Sequence, residues 1–147
     1  MVRLADDVHI PADAFLPPVR ALLDELLGRG YATGEERYDE DSFGNALVVL
    51  ERDGTLVRLV RDRGQWFVEV AGAAEGDWFA PVVWHAFLES SMPPLDTTSF
   101  DVQAQLILAD LGRIETTNSN FSEQDLAGLR AWRSRRAEAR RAIPPTG

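Results

Sequence analysis

The sequence predicts an α+β fold, and two kinds of pattern support that prediction. Three apolar runs rich in β-branched residues cover residues 46–52, 55–62 and 65–70, with an Asp-Gly dipeptide at 53–54 and an Arg-Gly dipeptide at 63–64. Asp-Gly is a strong hairpin signal, because both central residues of a type I′ turn need positive φ. Flanking segments have the three- and four-residue apolar spacing of helices. We therefore predict a three-stranded antiparallel meander with an N-terminal helix and three C-terminal helices.

The two predicted turns fix which side chains share a face of the sheet. With two-residue turns, Leu59 lies opposite both Val48 and Val68. One face is then apolar except for an arginine near its edge: Ala46, Val48, Leu50, Val57, Leu59, Arg61, Trp66, Val68 and Val70. The other face is mixed: Leu47, Val49, Glu51, Leu56, Arg58, Val60, Phe67 and Glu69. On it Arg58 faces Glu69 as a cross-strand ion pair. We expect the helices to pack on the apolar face. The mixed face is expected to be partly covered by other parts of the chain or to contact a partner.

Helical patterns account for the remaining segments. An apolar stripe over residues 15–27 includes two prolines that fit a first turn, and Gly28 ends it. A second helix is predicted over residues 78–89, apolar around almost its whole circumference, and a third over 100–111. A last helix begins after Ser122, where the following acids resemble a capping box.

Length and composition suit a single globular domain. The chain has 147 residues, of which 45% are hydrophobic and 27% charged. We predict one domain over residues 1–143 and a disordered tail over 144–147. No apolar run of about 18 residues and no signal-peptide pattern is present, so we expect a cytoplasmic protein that does not contact a membrane. All 15 basic residues are arginine, which suggests a GC-rich bacterial coding sequence.

Charge is unevenly distributed along the chain. The net charge is -9, yet residues 130–147 contain six arginines and a single acid, so the rest of the chain is more acidic than the total. An acidic body attracts basic partners and repels nucleic acid at long range. We expect a basic protein partner, and we interpret the arginine-rich helix as solvated or domain-bridging instead of as a nucleic-acid contact.

Few residues are suited to catalysis or metal binding. The chain has no cysteine and two histidines, and it lacks a phosphate-binding loop, a nucleophile elbow and a dinucleotide motif. His85 and Glu89 are four residues apart without further His or Cys ligands nearby, so we predict no metal site and no cofactor. The alternative to a binding protein is a small hydrolase or ligand-binding enzyme, with His85 as acid or base and Glu89 or Asp62 orienting it. A pocket exposing His85 beside a carboxylate would favour that enzyme.

Residues 31–44 are predicted to form an exposed loop, because the carboxylates clustered there repel one another. We predict a partner-binding surface that combines this acidic loop with the mixed sheet face: Glu35, Glu36, Tyr38, Asp39, Glu40, Asp41, Phe43, Arg58 and Phe67. The rival interpretation is that the loop only keeps the protein soluble.

Two features predict self-association into a homodimer. The outer strands of the predicted meander, residues 46–52 and 65–70, contain no proline and few charges to discourage edge-to-edge pairing. Trp84 lies on the all-round apolar helix, where we expect it to be exposed or interfacial. We therefore predict a homodimer with twofold symmetry that forms through a sheet edge or through Trp84.

Residues 55–70 also carry a resemblance to a known class of proteins. The run LVRLVRDRGQWFVEV, with a tight Asp-Arg-Gly turn, is followed by a tryptophan-led segment at Trp78. It resembles small α+β proteins of bacterial toxin-immunity neighbourhoods over about residues 45–88. The resemblance implies a non-enzymatic protein that occludes a toxin domain by tight binding, and an acidic body would suit a basic nuclease toxin.

Overall fold

Five antiparallel strands form one sheet in which each strand pairs with the next along the chain. The strands are β1 (Ala32–Asp39), β2 (Asn45–Arg52), β3 (Thr55–Asp62), β4 (Gln65–Gly72) and β5 (Asp77–Phe79). A short 3-10 helix (Ala12–Ala14) and α1 (Pro17–Gly28) precede the sheet, and α2 (Pro81–Glu89), α3 (Phe100–Asn118) and α4 (Glu123–Ala142) follow it. The computed structural model describes residues 10–39, 41, 44–72, 77–93 and 99–142. The predicted tail over residues 144–147 lies outside the described residues.

The predicted fold class is confirmed, but the predicted number of strands is wrong. The N-terminal helix, the antiparallel sheet and the three later helices are all present, and the sheet has five strands where three are predicted. In the central three strands the predicted register holds, with Leu59 opposite Val48 and Val68. Both turns have positive φ at their two central residues, as a type I′ turn requires.

The segment predicted to be an acidic loop is largely the edge strand β1. Ala32–Asp39 pairs with β2, with a register shift between Thr33 and Glu36 that marks a bulge. Charged residues suit an edge strand, because their side chains reach solvent on both sides while the backbone pairs on one. Repulsion among the acids is also relieved, since Arg37 forms an ion pair with Glu35.

The second added strand, β5, shifts the start of the following helix. The helix predicted from Trp78 begins at Pro81 instead, since residues 77–79 pair with the end of β4. Asp77 does not cap that helix; its Oδ2 accepts a 2.7 Å hydrogen bond from Arg130 Nε. The capping box at the start of α4 is confirmed, because Ser122 and Asp125 exchange backbone-to-side-chain bonds of 3.0 and 3.1 Å.

One face of the sheet forms the core with the helices. The alternate residues of β2, β3 and β4 on this face are buried, and they cluster with buried residues from all four α-helices, among them Leu23, Val83, Ile107 and Leu129. α3 continues through Gly112 to Asn118, beyond the predicted end at residue 111, because Ile114 extends its buried stripe. This burial outweighs the roughly 1 kcal/mol cost of a helical glycine.

Tyr31, between α1 and β1, makes the stability of this core sensitive to alkaline pH. Tyr31 is buried and its hydroxyl donates a 3.0 Å hydrogen bond to Glu115 Oε2. Burial, followed by that bond and the negative charge of Glu115, raises the pKa of Tyr31 above its usual range. The folded protein therefore keeps the phenol proton at pH values where the unfolded chain, with a pKa of about 10, has lost it.

We expect the free energy of unfolding to fall as the pH rises above about 10, the ordinary tyrosine pKa, because only the unfolded chain then gains stability by ionising. Tyr31→Phe should flatten this fall, although it should lower stability by about 1 kcal/mol at neutral pH through the lost hydrogen bond. Urea unfolding between neutral and alkaline pH measures both effects. An equal alkaline slope in wild type and Tyr31→Phe would contradict the assignment.

Candidate functional site

The sheet face opposite the helices carries apolar side chains that do not join the core. We call this surface the open face. Its half-buried apolar residues lie outside the core cluster and outside the group packed against it: Leu47, Val49, Leu56, Val60, Phe67 and Trp78. Leu47, Val60 and Phe67 are neighbours on three successive strands and form one stripe. The apolar residues of the helices pack against the core on the other side of the sheet.

A fixed polar cluster lies beside the apolar stripe. Arg58 Nε donates a 2.9 Å hydrogen bond to Glu69 Oε1, so the cross-strand pair predicted from the register is confirmed. The Arg58 guanidinium also lies 4.4 Å from the ring centre of Trp78 on β5. The carboxylate and the ring together hold the guanidinium in one position. Arg58 can therefore contact a partner with little further loss of side-chain freedom.

The structure separates the residues predicted to bind a partner. Glu35 has no strand partner of its own, but it forms an ion pair with Arg37, whose strand partner Leu47 is on the open face with Arg58 and Phe67. Glu36 and Tyr38 lie on the opposite, helix-covered side, as the strand partners of Val48 and Ala46.

Two of the remaining predicted contact residues, Asp39 and Asp41, lie at the end of β1 and just after it. Asp39 is exposed and accepts a 3.0 Å hydrogen bond from the backbone N–H of Asp41. Glu40 and Phe43 lie outside the described residues. The structure thus places Glu35, Arg58 and Phe67 on one face of the sheet and Glu36 and Tyr38 on the other.

Trp78 is the open-face residue that sequence reasoning missed. Its assignment to the predicted helix follows from the apolar run after it, because that run masks the short strand β5 in the sequence pattern. The position of Pro81 is the signal that could have corrected this, because proline favours the first turn of a helix and therefore leaves residues 77–79 before it.

Trp84 is fully buried, so the prediction that it is exposed or interfacial is wrong. Its indole Nε1 donates a 3.0 Å hydrogen bond to the backbone oxygen of Val70, and its ring packs edge-on against Phe79 and Phe87. The helix is apolar on most sides because it packs against α3, α4 and β4 within one chain. The homodimer stays a prediction, now without Trp84. The sheet edges also differ from those predicted, since β1 pairs with β2 and β5 pairs with the end of β4.

His85 forms a pair that the sequence did not predict. Its Nδ1 lies 2.8 Å from Asp110 Oδ2, and the side chain of Asp110 is 7% exposed against 26% for His85. The buried carboxylate orients the imidazole and joins α2 to α3. Asp110 occupies a core-facing position between Ile107 and Leu111, which is the signal that could have identified it. Neither residue of the pair lines the adjacent groove formed by Leu88, Ala109 and Arg113.

The carboxylates predicted to assist His85 are engaged or placed elsewhere. Arg113 binds Glu89, and this hydrogen bond and charge hold the pKa of Glu89 below its usual range. Asp62 is exposed at the end of β3. In the described residues no three His, Cys, Asp or Glu side chains are grouped to hold a metal ion. No helix there is long and apolar enough to cross a membrane.

Comparison of the chain with protein-family models, with curated proteins and with solved structures gave no match. The candidate site is therefore defined by its own geometry.

Proposed function

We propose that this protein is a non-catalytic protein-binding module whose open face contacts a basic partner protein. The observation that carries the proposal is the half-buried apolar stripe Leu47, Val60 and Phe67, which lies outside the core that the helices form with the sheet. A contiguous apolar surface with a polar rim is typical of protein interfaces. The stripe lies on three paired strands, so little ordering entropy is lost when a partner binds.

The charges around the stripe favour a basic partner. The strand register places more carboxylates than guanidinium groups on the open face: Glu35, Asp39, Glu51, Asp62 and Glu69 with Arg37 and Arg58. Both arginines are already paired with open-face glutamates. The remaining negative charge adds to that of the chain as a whole and steers a cationic protein toward this side.

Arg58 and Trp78 are suited to form the centre of such an interface. Arginine and tryptophan are the side chains most often found at binding hot spots, and here the two are stacked on each other before any partner arrives. An immunity-type activity, in which the open face occludes a basic toxin, fits this arrangement and the resemblance of residues 45–88. The pair of His85 and Asp110 keeps a hydrolase as the second candidate, but neither residue lines the neighbouring groove formed by Leu88, Ala109 and Arg113.

Affinity capture with charge variants tests the proposal. Purified wild-type protein is used as bait in an extract of its native cells at low salt. Two double variants are used in parallel: the open-face variant Glu35→Gln/Glu51→Gln and the control variant Asp24→Asn/Glu123→Gln. Both double variants remove two exposed carboxylates, but the control ones lie on α1 and α4. We expect wild type and control to retain the same basic protein, and the open-face variant to retain about tenfold less.

The salt dependence of capture provides a second criterion. The captured protein should elute as salt rises above the physiological range, because exposed charge attraction is screened over about 8 Å at 0.15 M. Equal capture by both double variants, or capture of acidic proteins alone, would contradict the proposal.

A further inference from the structure

A groove of about 500 Å³ lies beside β4, between that strand and the first turns of α2 and α3. Its lining combines apolar side chains with polar ones, among them an amide and a cation from two different helices: Leu16, Trp66, Phe67, Phe100, Gln103 and Arg136. Leu16 is 54% exposed, which is unusual for a large aliphatic side chain in this protein. The volume of the groove is within the range of ligand sites.

The groove follows a part of β4 that has no strand neighbour on that side among the described residues. β5 pairs with Val70–Gly72 alone, and the chain then turns into α2 at Pro81. The backbone N–H of Val68 donates a 3.1 Å hydrogen bond to Gln103 Oε1. The Gln103 amide thus takes the place that the carbonyl of a neighbouring strand would take.

Backbone polar groups along this edge are arranged to receive an extended chain. Hydrogen-bonding groups alternate in direction along a strand, so Trp66 directs its N–H and C=O to the same side as Val68. Residues 65–69 span about 16 Å and continue the line of β5. A peptide backbone can replace the Gln103 oxygen at Val68 and pair with Trp66, which a compact small molecule could not do along this length.

The charge of the groove indicates which peptide side chain it accepts. Arg136 lines the groove, and Arg133, one turn earlier on α4, lies over the buried ring of Phe79 nearby. The carboxylate of Glu69, which also lines the groove, is bonded to Arg58. A guanidinium has five N–H donors, so Arg136 can bind a carboxylate in addition to its present neighbours.

We propose that this groove binds an extended acidic peptide, which adds as a strand to residues 65–69 of β4 and places a carboxylate side chain against Arg136. Its apolar side chains contact Leu16 and Phe100. This site lies at the sheet edge and faces the first turns of two helices. It shares Phe67 with the apolar stripe of the open face, which is centred on Val60. The inference does not depend on the partner proposed for the open face.

The test uses heptapeptides of alternating valine and threonine with acetylated N-termini and amidated C-termini. In each peptide of the series one position is replaced by glutamate, and for each there is a control peptide with glutamine at the same position. Titration of the ¹⁵N-labelled full chain should shift the amide signals of residues 65–69 and the indole signal of Trp66. At the best position, the glutamate peptide should bind at least fivefold more tightly than its glutamine control peptide. Arg136→Gln should abolish this preference. The matched control Arg135→Gln removes the same charge from an exposed arginine stacked on Trp132 and should preserve the preference.

Four outcomes would overturn the inference. The first is no binding of any peptide at 2 mM, and the second is equal affinity for glutamate and glutamine peptides in wild type. The third is a set of shifts centred on Leu47 and Val60, which would place the peptide on the open face. The fourth is a dimer, detected by light scattering, that Arg136→Gln dissociates. A second copy of the chain, instead of a peptide, would then occupy the groove.

Discussion

Leu59→Asp should leave the chain unfolded, whereas Val60→Asp, one residue further along β3, should leave it folded. Leu59 is fully buried in the core, and Val60 is half-buried on the open face. Truncating a buried leucine costs about 2–5 kcal/mol, and a buried unpaired carboxylate adds its desolvation to that cost. The sum is comparable with the total stability of a small domain, about 5–15 kcal/mol.

Circular dichroism and urea unfolding of the two variants measure this contrast. We expect no cooperative transition for Leu59→Asp, and for Val60→Asp a transition within about 1.5 kcal/mol of wild type, since the new carboxylate stays solvated. Similar losses in the two variants would contradict the open face, because they would show that both sides of β3 are buried to the same extent.

Trp84→Ala should lower the free energy of unfolding by about 3–5 kcal/mol, the usual cost of removing a large buried aromatic. The substitution removes the bond from the indole to the oxygen of Val70 and the edge-on contacts with Phe79 and Phe87. Trp132→Ala is the matched control, because Trp132 is half-buried on α4 and stacks with an exposed arginine. We expect this control to lose less than half as much stability.

Urea unfolding and light scattering together distinguish a core role of Trp84 from a role between subunits. A core role predicts a lower unfolding midpoint with no change of mass in the folded protein. If Trp84→Ala instead kept the wild-type midpoint and changed only the mass, the indole would lie between subunits, as its sequence context suggests.

The central sheet could be predicted because two independent signals agree there. Each two-residue turn sets a register, and only one combination of registers places Val48, Leu59 and Val68 on a common face. A slip of one residue would turn that set toward solvent. The pairing of Arg58 with Glu69 follows from the same register, so this part of the candidate site was also predictable.

The two outer strands could not be predicted from the same signals. β1 is dominated by charge, and its bulge between Thr33 and Glu36 interrupts the alternation that identifies a strand. β5 has three residues and directly precedes an apolar helix, so its periodicity merges with that of α2. The contact of Asp110 with His85 joins helices across 25 residues of sequence, and no local pattern encodes it.

The most direct test of the open face is the dissociation constant of the captured basic protein for purified variants, measured by isothermal titration calorimetry. Val60→Asp changes the centre of the apolar stripe, and Glu36→Gln changes the same sheet on its helix-covered side. If the open face is the contact surface, Val60→Asp should weaken binding by about 100-fold, as at an interface hot spot, and Glu36→Gln by less than twofold. Wild-type affinity in a folded Val60→Asp variant would contradict the claim that this face binds the partner.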